Sequence, residues 1–190
     1  MTEFDVERPP AFQRAHVFLR VALLILIGWI GHPLGLLWLG IPVVAAILVS
    51  QKGGQRYLEE DGPTVVRLLT WVLDLLAYLA LLTDRLPGGE GHSVRFQVER
   101  SGSPTVGSAL LRILYAIPSL IVLAILLFVA GFAWLIAAVC VLVSQRYPDG
   151  LWRFLCGVVR WEARLFAYLA SLVEHYPPFT LESTATAGSS

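Results

Sequence analysis

The chain has 190 residues, 56% of them hydrophobic and 15% charged, and its mean hydropathy is +0.69. An average soluble domain carries about 25% charged residues. This composition excludes a disordered chain and a collagen-like fibre and argues against an ordinary soluble domain. Fourteen Lys and Arg are balanced by fourteen Asp and Glu, which argues against a nucleic-acid binder. Cys140 and Cys156 both sit in apolar stretches, so they read as buried or lipid-facing hydrophobes and not as a disulfide framework. What remains is a small all-α integral membrane protein.

Self-similarity organises the chain. Glu3-Phe4-Asp5-Val6-Glu7-Arg8 resembles Arg95-Phe96-Gln97-Val98-Glu99-Arg100, 92 positions on, and Phe18-Leu19-Arg20 resembles Leu110-Leu111-Arg112 at the same offset. Ile47-Leu48-Val49-Ser50-Gln51 returns as Val141-Leu142-Val143-Ser144-Gln145, and Ala77-Tyr78-Leu79-Ala80 as Ala167-Tyr168-Leu169-Ala170. Four matches in one order divide the chain into a unit over 1–93 and a second over 94–182. The small, polar tail 183–190 is expected to be disordered.

Each unit opens with an alternating, strand-like segment (Phe4 and Val6; Val94, Phe96 and Val98). A long apolar run follows, Val17 to Val49 and then Ala109 to Val143. As single helices these runs exceed the roughly 30 Å hydrocarbon core. The reading is therefore a transmembrane hairpin in each: spans at about 17–31 and 34–50, broken at Gly31-His32-Pro33, and at about 109–129 and 131–144, broken at Gly131. A single tilted span kinked at Pro42 or Pro118 is the alternative. Hairpins put all fourteen basic residues on one face, which the positive-inside rule assigns to the cytoplasm with both termini.

A mixed helix closes each unit, at about 64–85 and 151–175. Arg67, Trp71, Asp74 and Tyr78 share one helical face opposite Val65, Leu69, Val72, Leu76 and Leu79. In the second copy Arg153, Arg160, Arg164 and Tyr168 oppose Leu155, Val158, Phe166 and Leu169. This pattern suits an amphipathic helix lying in the membrane interface, with Arg153, Arg160, Trp161, Arg164 and Tyr168 as the surface for anionic lipid or a partner. It suits equally a helix packed against its own spans. Asp74 and Arg164 hold matching positions with opposite charge, so an inter-repeat ion pair is expected if the copies sit side by side. Glu162 breaks the pattern as an isolated acid on the apolar face, expected to be neutral or paired.

Motifs of chemistry are absent: no phosphate loop, GxSxG elbow, HExxH or CxxC occurs. His16, His32, His92 and His175 are scattered without metal spacing. Gly88-Gly89-Glu90-Gly91 reads as a linker between units. No catalytic residue, cofactor or metal is expected.

Arg146-Tyr147-Pro148-x-Gly150-Leu151, Gly157-Val158-Val159-Arg160-Trp161-x-x-Arg164, Ala167-Tyr168 and Tyr176-Pro177-Pro178-Phe179 resemble the domain of unknown function 4389, a family of bacterial membrane proteins without an assigned activity. The resemblance runs from near Val94 to near Glu182. The family's Thr-Asp-Arg before Tyr-Pro-Pro-Phe is here Val173-Glu174-His175, whereas the first unit has Thr83-Asp84-Arg85 and looks like a diverged copy. The resemblance implies a bacterial plasma-membrane protein. The functional expectation is a non-catalytic, multi-pass scaffold or accessory subunit that contacts membrane lipids, a partner protein or further copies of itself. The alternative is a small oligomeric transporter or channel.

Overall fold

The computed structural model describes residues 2–9, 12–29, 33–88 and 93–182, and side chains for all of these but 27–29 and 33–37. Gly31, His32, the linker residues Gly89 to Gly91, His92 and the tail 183–190 lie outside the described residues. About 70% of the described residues are helical.

β1 (Thr2–Val6) pairs antiparallel with β2 (Val94–Val98), with Phe4 opposite Phe96 at the centre of the register. Alternation sorts the ribbon into two faces. Phe4, Val6, Val94 and Phe96 are buried, while Glu3, Asp5, Arg95 and Gln97 face out. Asp5 stands opposite Arg95, a favourable cross-strand charge pairing.

Helix α1 (Arg14–Trp29) and helix α2 (Pro33–Lys52) carry the first apolar run. Gly53, at a φ of 82° that disfavours any side chain, separates α2 from the short α3 (Gly54–Arg56). A π turn (Tyr57–Asp61) leads into α4 (Gly62–Leu79). Helix α5 (Val106–Ser144) opens on a capping box between Thr105 and Ser108 and stops where Gln145 turns left-handed. Helix α6 (Asp149–Leu169) starts just after Pro148. Two stretches, Gly54–Leu79 and Val106–Ser144, are long and apolar enough to cross a membrane.

The second run is one helix, not a hairpin. α5 continues through Gly131 for 39 residues, about 58 Å at 1.5 Å per residue. A lone glycine costs a helix only about 1 kcal/mol, and no polar turn residues flank Gly131 to outweigh that. The first run does not fold back either. At its start, Arg14 donates to Val143 O at the far end of α5. Beyond its end, Gly54 lies so close to Pro104 that a Cβ would collide with that backbone. α1 and α2 therefore follow one another along α5 in the opposite direction. The hairpins at 17–31 and 34–50 and at 109–129 and 131–144 are replaced by two long antiparallel elements.

Three layers result. α1, α2 and α5 form a platform, α4 and α6 pack on it, and the ribbon lies across α4 and α6. The ribbon sits over the middle of α5. Arg160, mid-way along α6, donates to Phe4 O at the centre of β1. Its neighbours Val158 and Val159 share a cavity wall with Ala130, Gly131 and Trp134 of α5.

Contacts recur between the two halves. Arg20 donates to Thr83 O and lies over the Tyr78 ring; Arg112 donates to Val173 O and Tyr168 O and lies over the Tyr168 ring. α4 and α6 end alike: Leu81 and Ser171 take positive φ, and Leu82 N and Leu172 N reach back to Ala77 O and Ala167 O.

Candidate functional site

α6 is a core helix. Fourteen of its residues are buried, Gly157 among them, because its polar face is covered by the ribbon and by the segment 176–182. A Cβ on Gly157 would stand 2.9 Å from Leu181 Cβ. Arg160 donates to Leu181 O at 2.9 Å, and Arg164 donates to Thr180 O at 2.8 Å and to Glu182 O. The Phe179 ring meets Trp161 edge-on, and the Tyr176 ring meets Tyr168.

This corrects the expected lipid surface. Trp161, Arg164 and Tyr168 are buried, Arg160 is half-buried, and only Arg153 is exposed. The arginines saturate backbone carbonyls of the chain's own C-terminal segment instead of phosphates. Of the two readings of these helices, packing is what the structure displays: α4 and α6 pack within the fold, although α4 keeps Leu68 and Trp71 exposed. Asp74 accepts from Ser93 N, Ser93 Oγ and Val94 N. It thus anchors the entry to β2, while its positional counterpart Arg164 anchors the segment 180–182.

Two buried cations carry more structure than the sequence alone suggested. Arg20 is fully buried and pairs with Asp84 at 2.7 Å; Arg112 is 7% exposed. Each ties the start of a long apolar run to the end of the following amphipathic helix. The signal was the charged residue at the head of each run, matched by offset, with a tyrosine at the corresponding place downstream. Of the histidines, His16 Nδ1 lies 3.4 Å from the Tyr78 hydroxyl.

The feature with chemical potential is a cavity of about 520 Å3 between platform and middle layer. That volume lies in the range of small-molecule sites, about 300–1,000 Å3. Leu24 and Trp38 wall one side, Leu76 and Leu79 another, and Leu127, Gly131 and Trp134 the side formed by α5. Among the described residues, Glu162 is the one acidic or basic residue in the lining. It is 7% exposed and has no hydrogen bond or ion pair among the described residues. Burial pushes its carboxyl up from 4.5 to about 8 by desolvating the ionised form. The acid is therefore a neutral hydrogen-bond donor at pH 7.

A second cavity, about 350 Å3, lies between α2 and α4 and is lined by Val44, Leu48, Leu69 and Val72. Val72 is the residue 90 positions before Glu162, the offset that also relates Tyr78 to Tyr168. Cys156, on α6, is buried, and its thiol is pushed up to about 11 by desolvation, which leaves it inert. Among the described residues no group of three His, Cys, Asp or Glu could hold a metal ion.

Residues 107–180 match the family described as Domain of unknown function (DUF4389). No curated protein and no solved structure matches the chain.

Proposed function

We propose that this DUF4389-bearing chain is a non-catalytic scaffold or accessory subunit embedded in one leaflet of the bacterial plasma membrane. The apolar platform lies in the acyl region, and the charged ribbon stands in the cytoplasmic water. Its two halves are read as two copies of one unit about a two-fold axis through the Phe4–Phe96 pair. The recurring Arg20 and Arg112 contacts and the matching ends of α4 and α6 support that reading.

One observation carries the proposal. Large apolar side chains are exposed along α5 from Leu110 to Val143, and on α1 and α2 at Phe18, Ile25, Leu39 and Ile47. That strip runs about 50 Å at 1.5 Å per residue, well beyond the roughly 30 Å of a hydrocarbon core crossed upright. A crossing α5 would also carry the ribbon to mid-membrane depth, with the exposed Glu3, Asp5 and Arg95. The hydrocarbon core does not tolerate those charges. Lying along the leaflet satisfies both constraints and keeps both described chain ends on the polar side.

The scaffold role assigns partner binding to the outer face of the ribbon, where Glu3, Asp5, Arg95 and Gln97 are exposed. The test is purification from native membrane in mild detergent with mass spectrometry of everything that travels with the protein. The expected result is a stoichiometric partner that is lost when Glu3, Asp5, Arg95 and Gln97 are replaced by alanine. A clean homo-oligomer that conducts ions in liposomes would overturn the proposal in favour of a pore.

A further inference from the structure

We infer that the cavity around Glu162 is a binding site for a long apolar molecule bearing a neutral carbonyl oxygen, and that the Glu162 carboxyl donates a hydrogen bond to that oxygen. Three observations carry this. Among the described residues the lining is otherwise apolar, so it selects an apolar body. Glu162 is more than nine-tenths buried, lines the cavity and has no partner among the described residues, and such a group is costly unless something pairs with it. The fold itself does not require an acid there, since Val72 holds the corresponding place in α4 beside its own apolar cavity.

The chemistry favours a neutral acceptor over a cation. A buried ion pair would have to desolvate two charges with no further polar group among the described lining residues to help, whereas a carboxylic acid and a carbonyl make one neutral bond. Entry is from the lipid side. Leu127, Gly131 and Leu135 line the cavity and are exposed on the outer surface of α5. The aromatic walls Trp38, Trp134 and Phe166 suit a flat ring as well as a chain. Two sources share this chemistry: an isoprenoid quinone and an acyl ester of a membrane lipid.

The inference does not depend on the scaffold role, and its test needs no partner. Purified protein in mild detergent is titrated with decylubiquinone and, separately, with a dibrominated fatty-acid methyl ester. Both quench tryptophan fluorescence, and Trp38 and Trp134 stand in the cavity wall. Saturable quenching by one of the probes is expected and identifies the source. Glu162→Gln keeps a donor and should bind within about twofold. Glu162→Val, which copies Val72, removes the donor and should weaken binding about tenfold, the worth of one neutral hydrogen bond. Gly131 lines the cavity and has open space where a Cβ would stand, so Gly131→Leu should abolish binding by filling it. Quenching that never saturates, or that is unchanged in both Glu162→Val and Gly131→Leu, would overturn the site. Saturable displacement of the probe by dodecylamine in the wild type, lost in Glu162→Gln, would overturn the carbonyl assignment in favour of a cation.

Discussion

Glu162→Val should stabilise the protein, and increasingly so as pH rises. The carboxyl ordinarily titrates at 4.5 and in the fold at about 8. Between those values the unfolded chain has released a proton that the folded chain still holds. Stability then falls with rising pH, because the unfolded state binds fewer protons. At pH 7 the gap above the ordinary value is about 2.5 units, or about 3 kcal/mol at 1.4 kcal/mol per unit. Above pH 8 it levels off near 5 kcal/mol. Below pH 4.5 both states are protonated and the effect vanishes. The assay is thermal unfolding in mild detergent at closely spaced pH values from 4 to 9. In a chain of this size 1 kcal/mol moves the midpoint about 2–4 °C, so variant and wild type should differ by about 10 °C more at pH 7 than at pH 4. Comparing the two at each pH cancels every other titrating group. A difference that stays constant with pH, or a variant that is less stable at pH 7, would refute the idea that an unpaired acid is buried there.

Arg112→Met should cost about 3 kcal/mol, since it strands the Tyr168 and Val173 carbonyls in the core and removes the cation from the Tyr168 ring. Arg20→Met should cost a similar amount and also leave Asp84 without its buried partner; denaturant titration of both measures this, and a cost below about 1 kcal/mol in either contradicts the anchoring role. Gly157→Ala pushes against Leu181 at 2.9 Å, so it should loosen the segment 176–182 without unfolding α6. Limited proteolysis should then cut near Pro178 sooner than in wild type, while helical circular dichroism is unchanged.

How much of this was legible in the sequence differs element by element. The alternation at Phe4 and Val6 and at Phe96 and Val98 gave both strands, and the 92-residue offset is the same one that puts Phe4 opposite Phe96. Glu162 was visible as an acid on an apolar face, since helical spacing alone fixes that position. The partner surface on α6 was misread for a related reason. A row of arginines at helical spacing looks the same whether it faces phosphates or the carbonyls of a returning segment. Tyr176-Pro177-Pro178-Phe179 announced a helix stop but not that the chain would fold back over Arg160 and Arg164. The hairpins fail because apolar length is not a count of crossings. Length reports only how much surface must avoid water, and a 39-residue helix can satisfy that lying along a leaflet. The cavity was illegible, since its wall draws Leu24, Trp38, Trp134 and Glu162 from four helices whose meeting is tertiary.

The most direct measurement is the depth of α5 in the membrane. Single cysteines replace Leu111, Ile121, Phe128, Leu135 and Val143 in a background where Cys140 and Cys156 are alanine. Each is spin-labelled in anionic vesicles and read for accessibility to oxygen and to a water-soluble nickel chelate, with Arg95→Cys on the ribbon as the aqueous reference. Embedding in one leaflet requires all five α5 positions to favour oxygen, with positions 111 and 143 at matching depth on the same side, and position 95 to favour nickel. Positions 111 and 143 reached by the nickel chelate from opposite sides of the vesicle would mean that α5 crosses the bilayer, and the leaflet-embedded scaffold would be wrong.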